Sequence, residues 1–424
     1  MKQIDPNSDR SLRQQEGIRK WKAAGCKGTL CYCTGLGKTK TAIDIITQFR
    51  VKNPLHLIKI IVPTDNLKIQ WEEKLAQAGL VFYIDVLIIN SASKLKELDV
   101  DFLILDECHR VPADSFVNIF NICKPKLILG LTATFDRLDG KHEILNKHCP
   151  IVDIITVEEA RQKGWVAEYK DYYVLLEVPD IQIYEQYNEQ FLKHFAFFNY
   201  DFKLAMDCVK SNLVRDRYVR QITNNKPELY KETMKACSAH AFCWNRALQN
   251  RKLFVQNHPK KMEIAKLILE KRPDAKAITF NASIAQCEKY KMGYVMHSGQ
   301  TKKKNRLTLE EFNTLETGVI HSGKMLNEGA DIQGVNLGII LYNTSSATER
   351  IQRIGRAIRK EGEKTSEIFS LVIKGTVEEN WLKKSAKGLK GTYINEDQLL
   401  DVLNYKPINK KEETIKDSNY LFTF

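Results

Sequence analysis

The chain has 424 residues, more than one hydrophobic core usually organises, so two or more domains are expected. A hydrophobic fraction of 43% supports real cores, yet no apolar run reaches the length of a membrane span, and the polar start MKQIDPNSDRSLRQQEG lacks an apolar signal-peptide core. These features exclude a membrane class and favour a soluble cytoplasmic protein. The net charge of +13 favours a polyanionic partner, and the ten cysteines include no CxxC pair, so neither a zinc site nor a disulfide framework is expected.

In chain order, CYCTGLGKTKTAIDII sets a glycine-rich stretch directly before an amphipathic helix. The runs HLIKIIVP (56–63), YIDVLII (83–89), FLIL (102–105) and PKLILGLTAT (125–134) read as parallel strands separated by helix-like segments such as NLKIQWEEKLAQAG. From about residue 180 to 262 the strand pattern gives way to long polar-aromatic helical stretches. AKAITF (275–280), GVIHS (318–322), LGIILYN (337–343) and EIFSLVI (367–373) then restore the alternation. The expected organisation is a first α/β domain over 1–168, a linker strand and helical insertion over 169–262, a second α/β domain over 263–390 and a C-terminal tail over 391–424.

The segment TGLGKT carries phosphate chemistry. Around Thr34, glycines at 35 and 37 let backbone N–H groups close on phosphate oxygens, and the following helix N-terminus adds partial positive charge. Lys38 can reach the outer phosphates of ATP, and the Thr39 hydroxyl can ligate Mg²⁺. One departure stands out: Tyr32 occupies the position where GxxxxGK[ST] requires glycine. Downstream, FLILDECHR runs a buried strand into paired carboxylates. In phosphate-loop ATPases such a strand ends in the acidic residue that holds Mg²⁺, here Asp106, and Glu107 is then placed to polarise the attacking water. A charge pair opening a helix is the plainer alternative.

The ordered set TGLGKT, VPTDNLKIQW, DECH, TAT, ITF, NEGADIQGVN and QRIGRAIR resembles the motifs of superfamily 2 helicases over most of the chain. Within that superfamily, DECHRVPADSF followed by ILGLTATFDRLDG looks like the XPB-type and UvsW-type DNA helicases, with Phe135 standing where proline commonly follows TAT. The resemblance implies two tandem RecA-like domains that close on ATP and Mg²⁺. It implies that Gln352, Arg356 and Arg359 face the first domain and that the arginines reach the γ-phosphate; their i, i+4, i+7 spacing does place them on one helix face. By the same resemblance, Gln14 or Gln15 contacts adenine, Gly329 and Asp331 line the cleft, and His109, Thr132 and Thr134 link the nucleotide to the nucleic-acid groove. Thr64 and Ser322 match positions that touch the strand's phosphates.

The helical insertion interleaves cations, among them Arg215, Arg217 and Arg220, with Tyr218, Tyr230, Trp244 and Phe254. That composition suits either single-strand binding, with bases stacked on rings, or a helical bundle whose rings are core. The expected activity is ATP-driven DNA translocation or unwinding on branched or forked DNA, in recombination, repair or fork processing, in a bacterial or phage-infected cell. Single-strand-binding or recombination proteins are the natural protein partners, and one motif set suffices for a monomeric motor. Two alternatives stay open: an RNA remodeller on the same scaffold, and a non-hydrolysing DNA-binding module, for which Tyr32 and Phe135 are the only support.

Overall fold

The computed structural model describes residues 8–111, 117–133, 142–323, 332–357, 365–387 and 389–404. The first sheet is built from β1 (Lys27–Tyr32), β2 (Ile58–Val62), β3 (Ile84–Ile88), β4 (Phe102–Asp106), β5 (Leu127–Thr132) and β6 (Ile151–Ile155), in the order β3-β2-β4-β5-β1-β6. The second contains β7 (Tyr169–Leu176), β8 (Lys276–Phe280), β9 (Tyr294–Met296), β10 (Gly318–Ser322), β11 (Leu337–Ile340), β12 (Ser366–Ile373) and β13 (Thr392–Ile394), in the order β13-β7-β12-β11-β8-β10-β9. All pairings are parallel. Helices cover the faces, which is why β4 (FLILD) and β8 (KAITF) are buried at every residue rather than at alternate ones.

Every strand read from the sequence is present. β7 is the linker strand: it leaves the first sheet and pairs along its full length with β12 of the second. Residues 392–404, read as tail, instead complete the second unit. β13 pairs with β7, and Leu399 and Leu403 of the Glu396–Asn404 helix sit in the same core as Val174 and Phe369.

Four helices, Ile181–Phe195, Phe202–Lys210, Asn212–Ile222 and Pro227–Asn257, form a bundle inserted between β7 and β8. Its rings make its core. Trp244 is fully buried among Phe191, Phe195 and Phe202, and Tyr218 donates its hydroxyl to the Phe197 carbonyl at 2.7 Å. The bundle reading therefore accounts for Tyr218 and Trp244.

A buried ion pair locks the second unit. Lys261 Nζ donates to both Glu378 oxygens at 2.6 and 2.7 Å and to the Leu341 carbonyl at 2.8 Å, while the Asn343 and Ile373 N–H groups also donate to Glu378. Both side chains are wholly buried, so removing one partner strands the other charge in a low-dielectric interior. Lys261→Met is expected to lower unfolding free energy by about 3–5 kcal/mol, read by chemical denaturation; a loss within experimental error would mean that Glu378 is neutral or hydrated in the fold.

Candidate nucleotide site between the two sheets

β1 delivers the chain into the loop 33–37, and the Lys38–Lys52 helix begins immediately after it. Gly37 is the helix N-cap at φ 79° and Gly35 lies at φ 91°, left-handed conformations that an L side chain adopts only at a cost. Lys38 Nζ donates to the Tyr32 carbonyl at 3.2 Å, folding its side chain back over the loop. The ring of Tyr32 points the other way. Its hydroxyl donates to Asp153 Oδ2 at 2.8 Å in the space left by Gly17, where a Cβ would stand 1.7 Å from that hydroxyl. Burial and the Asp153 charge keep the phenol protonated. The residue that breaks the glycine pattern thus gives the loop only backbone, and its side chain is core.

The N-terminal helix Asp9–Ala23 braces the same loop. Gln14, buried, donates to the Leu36 carbonyl at 2.5 Å, and Arg10, one turn earlier on the same face, donates to the Gly35 carbonyl at 2.6 Å. Gln15 is exposed, so of the two glutamines only Gln14 meets the loop.

β4 ends on Asp106, whose carboxylate is held twice: Oδ2 accepts from the indole Nε1 of Trp71 at 2.8 Å and Oδ1 accepts from the Glu107 N–H at 3.0 Å. Burial, then the neighbouring Glu107, push its carboxyl up to about 6, opposed by the Trp71 hydrogen bond and the Lys38 charge. Glu107 turns out of the strand at φ 49° and ψ 48°, a left-handed conformation that costs a non-glycine residue about 1–2 kcal/mol and breaks the run of backbone after Asp106. Its Oε2 is buried, lies 3.5 Å from His109 Nδ1 and makes no hydrogen bond among the described residues. His109 Nδ1 also lies 3.0 Å from Thr132 Oγ1, at the end of β5. Glu107, His109 and Thr132 therefore form a continuous polar path between two strand ends.

The Ala347–Ala357 helix brings the second unit to this site. Arg350 anchors one of its faces through Asp171 at 2.7 and 3.0 Å and Ser370 at 3.1 Å, and Arg353 reaches the Tyr342 carbonyl at 3.1 Å and Glu349 at 2.8 Å. Gln352 and Arg356 are buried as well. Between them Gly355 packs on the phosphate loop so closely that a Cβ would fall 2.2 Å from the Cβ of Thr34. Burial lowers the Arg356 guanidinium to about 10, with the Glu107 carboxylate acting in the opposite direction.

The family described as "Type III restriction enzyme, res subunit" matches residues 10–83 and 81–137, and "Helicase conserved C-terminal domain" matches 260–361. The DNA 3'-5' translocase XPB2 of Sulfurisphaera tokodaii is 27% identical over 386 residues, spanning 86% of this chain and 82% of that protein. The chain is a superfamily 2 helicase of the XPB-like kind. It is accordingly an ATP-hydrolysing enzyme that acts on nucleic acid. The helicase is also 24% identical to the putative ATP-dependent RNA helicase MJ1505 of Methanocaldococcus jannaschii, spanning 85% of this chain and 57% of that protein. Its fold matches S. cerevisiae Dbp5 bound to RNA and ADP BeF3 with a TM-score of 0.58 at 12% identity, covering 92% of this chain and 91% of that one. The DEAD-box helicase Mss116 bound to ssRNA and UDP-BeF gives 0.55 at 16% identity, covering 93% and 78%. These two likenesses establish the tandem RecA-like fold.

Other residues singled out in the helicase sequence are placed less directly. Thr64 caps the Asp65–Gln77 helix, its hydroxyl accepting from Leu67 N–H at 3.4 Å. Ser322 differs from expectation: it is fully buried and its hydroxyl donates to the Gly323 carbonyl at 2.8 Å, so the side chain is not presented to a strand. Arg215 is spent on the Cys208 carbonyl and Asn212, and Arg220, though exposed, pairs with Asp216 at 2.9 Å over the Tyr230 ring; Arg217 is exposed too. Lys302, in the segment TKKKNR (301–306) of the second unit, pairs with Asp65 of the first. Thr134, Phe135, Gly329, Asp331 and Arg359 lie outside the described residues. No helix of the described residues is long and apolar enough to cross a membrane.

Arg10 and Trp71 are site neighbours that the motif spacing did not single out. For Arg10 a signal existed, since it precedes Gln14 by four residues on one helix face. The Trp71 contact had none, because an apolar position at helical spacing says nothing about where an indole N–H points.

Proposed function

We propose that this helicase is an ATP- and Mg²⁺-dependent DNA translocase that remodels branched or forked DNA. The observation that carries the reading is the seat of the Gly355–Arg356 turn on the phosphate loop, which puts a buried arginine of the second unit within electrostatic reach of Glu107 in the first. A site assembled from both units can hydrolyse only when they are together, so turnover and relative domain position are tied.

In this reading Thr34, Gly35, Gly37 and Lys38 cradle the phosphates, and Gln14 serves the base. Thr39 and Asp106 are a hard-oxygen donor set suited to Mg²⁺, and the Lys38 charge, which favours the ionised form of Asp106, complements the phosphates. Bound there, the metal would neutralise charge on the outer phosphates. Glu107, with an oxygen that has no hydrogen bond among the described residues, orients the attacking water and accepts its proton. Arg356 balances charge developing on the γ-phosphoryl group, with Gln352 on the same helix; Arg359, Gly329 and Asp331 are assigned to the same nucleotide by their motif positions alone. His109 and Thr132, with Thr134, carry the state of Glu107 towards the nucleic-acid groove. Thr64 at its helix N-terminus and Arg217 on the bundle meet DNA phosphates without reading sequence.

DNA is favoured over RNA because the relative named for DNA translocation aligns along most of both chains, whereas the relative named for RNA is spanned to little more than half. The test is ATP hydrolysis with no nucleic acid, single-stranded DNA, duplex DNA, a forked or four-way junction, and single-stranded RNA. Strongest stimulation by the junction is expected. Strongest stimulation by RNA would make the enzyme an RNA remodeller, and no hydrolysis under any condition would make it a binding module.

A further inference from the structure

Trp71 belongs to the Asp65–Gln77 helix, and its side chain is 1% exposed. An indole buried to that extent has one polar atom to satisfy, and the partner chosen here is a carboxylate at the end of a neighbouring strand, Asp106 Oδ2 at 2.8 Å. With Oδ1 taken by the Glu107 N–H at 3.0 Å, both oxygens have a fixed donor, so neither rotation about the Cα–Cβ bond nor rotation of the carboxylate plane is free. The two donors differ in kind. The Glu107 N–H is local and would follow any movement of the strand end, whereas Trp71 is rooted in a separate helix 35 residues away in sequence.

We propose that Trp71 is a positioning residue for this enzyme: its indole N–H sets the orientation in which Asp106 presents its remaining lone pairs to the metal ion. The inference rests on the assignment of Asp106 to Mg²⁺ made above. It adds a consequence for coupling. The helix that carries Trp71 is capped by Thr64 and bears Asp65, which pairs with Lys302 of the second unit. Two turns of helix, about 10 Å, separate Thr64 from Trp71. A rigid rod of that length conveys movement at the groove and at the second unit to the metal carboxylate, separately from the path through His109 and Thr132.

The experiment is calorimetric titration of ADP into the full chain with and without Mg²⁺, which reads metal-dependent tightening apart from turnover. Outer-shell partners of metal ligands are typically worth about 10–100-fold in metal affinity. Trp71→Phe is therefore expected to keep the Mg²⁺-free ADP affinity within about twofold of wild type and to lose about 10-fold of the Mg²⁺-dependent tightening. Placing β-(3-benzothienyl)alanine at position 71 keeps the ring volume and removes only the N–H. It is expected to behave as Trp71→Phe does, and it decides the matter should phenylalanine disturb the core and weaken Mg²⁺-free binding. Full Mg²⁺-dependent tightening in the benzothienyl variant overturns the role of Trp71 while leaving the metal assignment intact. Absence of any Mg²⁺ effect in the wild type overturns the metal assignment, and this inference with it.

Discussion

Glu107→Gln is expected to lower ATP turnover by about 10²–10⁴-fold while nucleotide affinity stays near that of the wild type. The amide keeps the size and the left-handed backbone of the residue, so the loop geometry and the N–H that Glu107 gives to Asp106 are retained. What disappears is the capacity to take a proton from water. One effect pulls the other way: with Glu107 neutral, the like-charge contribution that helps raise the Asp106 carboxyl is removed, which favours the ionised form of Asp106 and hence the metal. Nucleotide held in the presence of Mg²⁺ should therefore be retained at least as well. The check is single-turnover hydrolysis beside equilibrium binding of a nucleotide. Turnover within a few-fold of the wild type would move the general base elsewhere and return the paired carboxylates to a structural role.

The same residue shows how far sequence reasoning reaches. An apolar run broken by adjacent carboxylates marks the end of a buried strand, so the position of Asp106 follows from pattern alone; the direction of its side chain does not. That depends on Trp71, and an indole's aim is a property of packing between elements far apart in sequence. Tyr32 makes the converse point. By spacing it is a defect in a glycine pattern, but in three dimensions it fills a hole beneath Gly17 and hydrogen-bonds Asp153, so the support it lent to a degenerate site disappears. Strands rich in β-branched residues, such as β2 and β12, were legible. β1, with Gly, Thr and Cys, and the three-residue β9 and β13 were not, because their strand character comes from neighbours rather than composition, and β6 (IVDII) went unread despite its β-branched composition. The bundle arginines were ambiguous for a similar reason: composition cannot distinguish Arg215, bonded to a helix-end carbonyl, from Arg217, exposed two residues later.

Arg356→Ala is expected to depress nucleic-acid-stimulated turnover by about 10³-fold, the range for loss of an arginine that meets transition-state charge, with ADP binding to the first unit preserved. Removal of any buried arginine would also destabilise the enzyme. Gly355 supplies the control, because it reaches the same outcome without touching a charge. A Cβ there would stand 2.2 Å from Thr34 Cβ and 2.7 Å from its Cγ2, distances that no adjustment of a short, branched side chain relieves. Gly355→Ala must push the helix off the phosphate loop, carrying Arg356 with it, while alanine itself is a better helix former than glycine by about 1 kcal/mol. Stability should hold or rise as turnover falls. Pairing Gly355→Ala with Thr34→Gly deletes the very atoms that collide and should recover a substantial part of the lost rate, measured as kcat with saturating DNA. Recovery would show that seating of this helix on the loop, rather than the identity of either residue, is what hydrolysis requires. Unchanged turnover in Gly355→Ala alone would mean that the catalytically competent enzyme closes its two RecA-like units in another arrangement.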